Sequence, residues 1–522
     1  MERHRRDAYY IVGEGMVDGA EVTPGAQVAM DVDLHAFRFS RIGPKGRQLG
    51  DPARRRIAVA MTRDAGKRDS KIPAGYTYLG QFVDHDLTFD RSRLRDDASV
   101  PVADLVQGRS PSLDLDSLYG LGPAMTPEFY RSGKLRLKTG DTVASFPNDG
   151  IANRVQRGFD LPRRPDRTAV IPDPRNDENL VVAQTHLAFI RFHNRVVEVL
   201  LADGVPQAEV FARARDTVVR HYQWMLKTDF LPRVVNPQQV AGVFSAGRRI
   251  VEPGAAPGTT PTMPIEFSVA AYRMGHSMVR AAYDWNRVFD DGAGSIDLLF
   301  EFSGTSGGLG GDPRLPTNWI ADFRRLYDFR EAGRPDLRPL VGGKLKLNFA
   351  RRIDTLLADP LAFLPDDSLG GPDGAAIRHN LAFRNLTRAR MLQLATGQQM
   401  AALMRRAGLP IATLTPQRIL RGRDGADLGA LNQAQRQALT RDTPLWFYVL
   451  REAEWNASPR LTGVGGRLVA ETFHRAMEGS EISIVRDPAW RPTLGPDPET
   501  FRMVDLLLFA FEGRAELLNP LG

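Results

Sequence analysis

The densest chemistry in the chain is Asp84-His85-Asp86, inside the run LGQFVDHDLTFD. Three adjacent ionisable side chains in an apolar frame are costly unless each has a partner. Tyr78, Leu79 and Phe82 recur at helical spacing around them. On a helix, Gln81, Asp84 and His85 fall at i, i+3 and i+4 and share one face. That face turns an amide, a carboxylate and a base into one cavity. Asp86, about 100° further round, serves another side. Carboxylates and an imidazole at this spacing suit acid–base work or a zinc or iron site. The same run could equally cap a surface turn.

Three further groups bear on the same chemistry. Arg175, Glu178 and Asn179 repeat the i, i+3, i+4 spacing at an expected helix start, Asp173-Pro174. An arginine there can stabilise developing negative charge; a surface ion pair is the plainer reading. In Ala271-Tyr-Arg273-Met-Gly275-His276, the glycine leaves room for a flat group to approach the histidine. A satisfied core histidine would look the same. Asn385 and Arg388, with Arg390, lie on one expected helix, where they can orient a ligand histidine and bind carboxylates.

The elements that must position these groups are mostly helical. The 522 residues are 42% hydrophobic and 25% charged, which leaves ample material for a large core. The +7 net charge comes from 69 basic against 62 acidic residues. The bases are scattered, and the densest stretch, Lys45–Lys71, has no interleaved aromatics and no nucleic-acid-binding pattern, so nucleic acid is not an expected partner. The chain has no cysteine, which excludes disulfides, thiolate metal sites and cysteine nucleophiles. Its charged start has no apolar segment behind it, and no apolar run approaches the roughly 20 residues of a membrane span. The expectation is a soluble protein, either cytoplasmic or exported without a cleaved signal.

Helices are expected over Gly75–Asp90, Asp173–Asp203, Thr217–Leu226, Ser268–Arg280, Leu381–Ala407, Pro416–Leu420, Leu445–Trp455 and Gly463–Met477. Ile482–Val485 is one of few strand signals, and Val100–Pro123 reads as loop. Residues 1–70 read as an irregular arm and 71–522 as one large, mainly α domain. His186 and His193 read as packing residues. His4, His35, His221, His379 and His474 show no partner pattern.

Taken together, the four groups resemble the animal haem peroxidases, the myeloperoxidase-like members of the peroxidase–cyclooxygenase superfamily, over about Tyr76–Asn385 and more weakly to Met477. GQFVDHDLTFD is similar to the family's distal-histidine motif, Asp-Pro-Arg175-Asn-Asp-Glu178 to its distal-arginine motif, and Tyr272-Arg-Met-Gly-His276 to its proximal-histidine motif. Asn385-Leu-Thr-Arg388 is similar to the segment that partners the proximal histidine. The resemblance implies a single helical haem-peroxidase domain with few short strands. It implies haem b held by His276, with Asn385 accepting the other imidazole N–H. His85 is then the acid–base catalyst, Arg175 the charge stabiliser and Gln81 the neighbour of a halide site. Asp84 and Glu178 are the ester-forming carboxylates, Arg388 pairs with a propionate, and Arg273 either does likewise or tunes the electron path.

Asp86 is implied as a calcium ligand. The loop Ser110-Pro-Ser112-Leu-Asp114-Leu-Asp116 offers Ser110, Asp114 and Asp116 side chains and the Ser112 carbonyl toward the 6–8 oxygens calcium takes. Hydrogen peroxide would oxidise the centre, which would then oxidise halide, thiocyanate or small phenols.

Two departures matter. Asn179 stands where myeloperoxidase has the methionine of a third, sulfonium link. The resemblance therefore implies at most two esters and a lower haem potential, which favours bromide, iodide and thiocyanate over chloride. The absence of cysteine points to a bacterial-type relative. A fatty-acid dioxygenase of the cyclooxygenase or α-dioxygenase branch needs a tyrosine three residues before the proximal histidine, and Arg273 stands there. Non-catalytic adhesion on the same scaffold would leave His85, Arg175 and His276 free to drift, yet all three are present. A haem-free metal hydrolase lacks any paired-histidine spacing.

Overall fold

Proline in the first turn starts helix α1, Asp51–Met61. The computed structural model describes residues 10–11, 15–16, 37–63, 68–92, 99–145, 150–151, 153–364, 376–456 and 460–522. His4 and His35 lie outside them. Eight more helices carry the architecture: α2 (Gly75–Leu87), α3 (Leu180–Ala202), α4 (Gln207–Met225), α5 (Leu381–Met391), α6 (Gly397–Arg406), α7 (Leu445–Trp455), α8 (Gly463–Gly479) and α9 (Met503–Ala510). Among the described residues, strands occur only as six two-stranded pairs. No described helix is long and apolar enough to cross a membrane.

The core is built around α3, whose 23 residues span about 34 Å. It packs against α2, α4 and α9. Phe82 of α2 stacks on Phe189 of α3 with ring centroids 4.5 Å apart, and Tyr222 of α4 meets both rings edge-on. Almost every α2 side chain is buried, so its polar residues are committed to internal partners.

Several boundaries differ from the sequence expectation. Asp173–Asp203 is not one helix. A 3-10 turn, Pro174–Asp177, precedes α3, and Asn179 caps α3 by accepting from Val182 N at 3.0 Å. Ser268–Arg280 breaks into short turns, Ile265–Ser268, Ala271–Met274 and Gly275–Met278. Leu381–Ala407 divides into α5 and α6, because Thr396 and Gln399 form a capping box. Residues 482–485 are not a strand: the Gln223 side chain takes their backbone groups at Ile482 O (2.7 Å) and Ile484 N (3.0 Å). Residues 51–61, expected to be irregular, are α1, which packs on α5. Val100–Pro123 contains the short helical turns Val102–Asp104 and Asp116–Tyr119.

Candidate active site

Helix α2 places the distal group. Its C-terminal carbonyls need partners, and Arg175 supplies them. Its Nη2 donates to His85 O at 3.0 Å and to Thr88 O at 2.7 Å. Asp173 holds the same guanidinium, accepting from Nε at 3.0 Å and Nη2 at 2.7 Å, while Arg109 reaches Asp173 at 2.6 Å. Burial opposes ionisation of Asp173, but Arg175 and Arg109 overrule it and hold the carboxyl well below its ordinary range. Arg175 thus sits behind His85, clamping the end of its helix, with its guanidinium carbon 4.3 Å from the Phe89 ring centroid.

His85 is fully buried. Its Nδ1 lies 2.9 Å from Asn176 Oδ1, and its Nε2 has no hydrogen-bond partner but lies 3.5 Å from Glu178 Oε1. The amide oxygen of Asn176 is an acceptor, so Nδ1 carries a proton that it donates there. Glu178 Oε1 accepts from Gln81 Nε2, and Gln81 Oε1 accepts from Asn179 Nδ2 at 3.0 Å. Glu178 Oε2 is buried with no partner. Burial raises the Glu178 carboxyl against the pull of His85, and burial likewise raises Asp84 against His85, Arg175 and Arg273.

The proximal group comes from the broken segment before and around His276. Glu266 ties it to the arm by accepting from Ile42 N at 3.0 Å and Gly43 N at 2.9 Å. Trp446 Nε1 of α7 donates to Arg273 O at 3.2 Å. Arg273 Nη1 donates to Asn385 Oδ1 at 2.7 Å, and Asn385 Nδ2 lies 2.9 Å from His276 Nδ1. The expected role of Asn385 as acceptor of the His276 N–H therefore differs here: its carbonyl is taken by Arg273, which can only donate. Arg388, expected at a propionate, is ion-paired with Asp90.

The two groups meet across one cavity. Gln81, Asp84 and Asn179 line it together with Arg273, Gly275 and His276. It encloses about 760 Å³ of space between protein atoms, its open mouth included. His85, Arg175 and Glu178 are not on its wall; Gln81 joins them to it. A Cβ on Gly275 would meet nothing within 4 Å, so the space beside His276 is open. A flat group fits this cradle: its lining offers the His276 imidazole with open space beside it, together with the Asp84 carboxylate and the Gln81 and Asn179 amides.

On the far side of α2, Asp86 accepts from Leu115 N (3.3 Å), Ser117 N (3.2 Å) and Ser117 Oγ (2.9 Å). Asp114 turns to the amides of Glu481 (3.0 Å) and Ile482 (3.4 Å). Burial, and then the Asp116 charge, push Asp86 and Asp114 each up to about 7. Ser110 and Ser112 are buried in the same loop. The three carboxylates are not gathered into one shell. Among the described residues, only Asp284, Asp290 and Asp291 bring ligand atoms within 4.8 Å of one another, and Lys346 and Arg325 already pair with that group.

Sequence reasoning missed Asn176, Arg109 and Asp90, and gave Asp173 only a capping role. Asn176 and Asp90 lie inside the quoted motifs, so contiguity was their only signal; Arg109 carries none.

Residues 89–298 match the family model described as animal haem peroxidase. A peroxidase-like protein of Margaritifera margaritifera is 33% identical over 114 residues, which is 22% of this chain and 14% of that protein. The chorion peroxidase of Aedes aegypti is 23% identical over 291 residues, 44% of this chain and 36% of that protein. The chain thus matches well under half the length of these curated relatives. Peroxidase A from Dictyostelium discoideum superposes with a TM-score of 0.51 at 16% identity, covering 90% of this chain and 91% of that one. A fatty acid alpha-dioxygenase of Oryza sativa does so with 0.55 at 12% identity, covering 85% and 76%. These likenesses define the helical fold shared by peroxidases and dioxygenases. Over residues 89–298 the chain is similar to the animal haem peroxidase family.

Proposed function

We propose that this chain is a haem-dependent peroxidase that reduces hydrogen peroxide and oxidises bromide, iodide, thiocyanate or small phenols. The observation that carries the reading is the meeting, in the lining of one cavity, of His276 with open space beside it and of Gln81, Asp84 and Asn179, of which Gln81 leads through Glu178 to His85. Haem bound there supplies the iron that takes up peroxide and the oxidising equivalents. His276 would hold that iron, and Asn385 and Arg273 would set its orientation. His85, held through Nδ1 by Asn176, would take a proton from the near peroxide oxygen at Nε2 and return it to the far one. Arg175 keeps His85 in place by clamping the end of α2 and adds positive charge behind it. Asp84 and Glu178 would form the two ester links, and Gln81 would stand beside the halide. The raised carboxyls of Asp84 and Glu178 suit groups that end as neutral esters.

Calcium would bind between Asp86 and the 110–116 loop. Support comes from the Asp116 charge, which adds to burial in raising both Asp86 and Asp114 and which a cation would offset. The dioxygenase reading gains nothing from the fold likeness: the side chain three residues before His276 is Arg273, engaged with Asn385.

The test is donor oxidation by haem-loaded protein and peroxide, with bromide, iodide, thiocyanate and a simple phenol, in wild type and His85→Ala. Loss of about 100-fold or more in the variant is expected for removal of the acid–base group. Equal rates in both proteins would reject the role of His85.

A further inference from the structure

Three tyrosines on the cavity wall differ in where their hydroxyl protons can go. Tyr272 donates to the backbone carbonyl of Gly80 at 3.2 Å. Tyr78 shares a 2.8 Å bond with the Tyr283 hydroxyl. Neither partner is a base. Tyr76 donates to Asp229 Oδ2 at 2.7 Å, and both residues are buried. Asp229 sits on a π-helical turn, Leu226–Phe230, that follows α4; such turns often mark functional sites. Its Oδ1 accepts from Arg233 Nε at 2.7 Å, and its Oδ2 also accepts from Met503 N at 3.0 Å. The Arg233 guanidinium carbon lies 4.2 Å from the Tyr76 ring centroid. Arg233 continues to Glu331 at 3.1 Å, and both are partly exposed. A second ring, Tyr327, packs edge-on to Tyr76 at 5.2 Å, its buried hydroxyl without a partner.

We propose that Tyr76 is a one-electron oxidation site of the cavity, with Asp229 as the acceptor of its proton. The inference rests on the peroxidase reading, since hydrogen peroxide acting through the bound haem is the oxidant. One electron leaves the Tyr76 phenol for that oxidant. The phenolic O–H bond breaks, and a new O–H bond forms on Asp229 Oδ2, leaving a neutral phenoxyl group. When a phenolic donor returns an electron, the proton moves back from Asp229. Burial, and then the Asp229 charge, hold the phenol well above its ordinary range, so its proton leaves with the electron and not before it. Tyr272 and Tyr78 have no comparable proton acceptor.

Full-length haem-loaded protein is mixed with equimolar peroxide without donor and frozen. Its paramagnetic resonance and visible spectra are then recorded on the same sample. The expected result is an organic radical signal that narrows when the tyrosines are ring-deuterated. The signal is lost in Tyr76→Phe, lost or shortened in Asp229→Asn, and retained in Tyr78→Phe and Tyr272→Phe. A nitroso spin trap is expected to label the peptide carrying Tyr76, which tests the wild-type chain independently of any variant. A radical unchanged in Tyr76→Phe, or trapped on another tyrosine, overturns the proposal. So does the absence of a radical in wild type whose visible spectrum has responded to peroxide. A visible spectrum that does not respond to peroxide overturns the peroxidase reading and this inference together.

Discussion

His85 Nδ1 lies 2.9 Å from the side-chain oxygen of Asn176, and that bond places a proton on Nδ1. Without it, either tautomer is open to a buried imidazole. Asn176→Leu is expected to slow the reaction of the haem protein with peroxide by about 10- to 100-fold while leaving haem binding intact. Stopped-flow absorbance in the Soret region reads both quantities. A wild-type rate in the variant would show that the tautomer is set elsewhere.

Asn385 is pinned by Arg273 at 2.7 Å, and its amide nitrogen faces His276 Nδ1. Asn385→Asp offers a carboxylate to both neighbours and raises the basicity of His276 as a ligand. The haem midpoint potential should fall in this variant. Asn385→Leu should instead weaken haem retention by about 10- to 100-fold. A potential that does not move on Asn385→Asp would separate Asn385 from the ligand histidine.

The helices that position the distal and proximal groups were legible, because Tyr78, Leu79 and Phe82 in α2 and the run Leu445–Trp455 in α7 carry strong apolar periodicity. Interruptions were harder. Asn179 caps α3 six residues after the Asp173 cap, and Thr396–Gln399 restarts a helix inside a continuous apolar pattern. Both signals are local and readable, yet they were outweighed by periodicity. Ile482–Val485 has strand composition, but the Gln223 side chain satisfies its backbone in place of a neighbouring strand. The pairing of Arg388 with Asp90 spans 298 positions, and no local pattern announces it.

Calcium binding is testable by removal. Dialysis against chelator should lower the thermal midpoint, and calcium should restore it. Saturating metal at 100 times its Kd contributes about 2.7 kcal/mol. Asp86→Asn should abolish the difference. A protein that holds no calcium by elemental analysis and melts identically with and without chelator would exclude the site.

Acid sensitivity has an identifiable source in His221. Its Nδ1 lies 2.7 Å from Thr217 O, so it donates there, and its Nε2 accepts from Thr493 N (3.0 Å) and Leu494 N (3.1 Å). Burial, against the Thr217 bond, lowers this imidazole from 6.5 to about 4. The native state thus favours the neutral ring, while the unfolded chain takes up a proton near 6.5. Stability from this group is full above that pH and is lost as pH falls toward about 4, by up to about 3 kcal/mol. Urea midpoints between pH 4 and 7 should show a shallower slope in His221→Gln; an identical slope would remove His221 from the explanation.

The most direct test of haem held between His276 and the Asp84–Glu178 wall is the visible spectrum of the reconstituted protein, followed by acid–organic extraction before and after peroxide. The expected result is a Soret band absent in His276→Ala, with haem that extracts freely before peroxide and stays with the wild-type chain afterwards. Haem should be released from the double variant Asp84→Asn, Glu178→Gln even after peroxide. Failure of the wild-type protein to bind haem under any condition would contradict the peroxidase reading at its root.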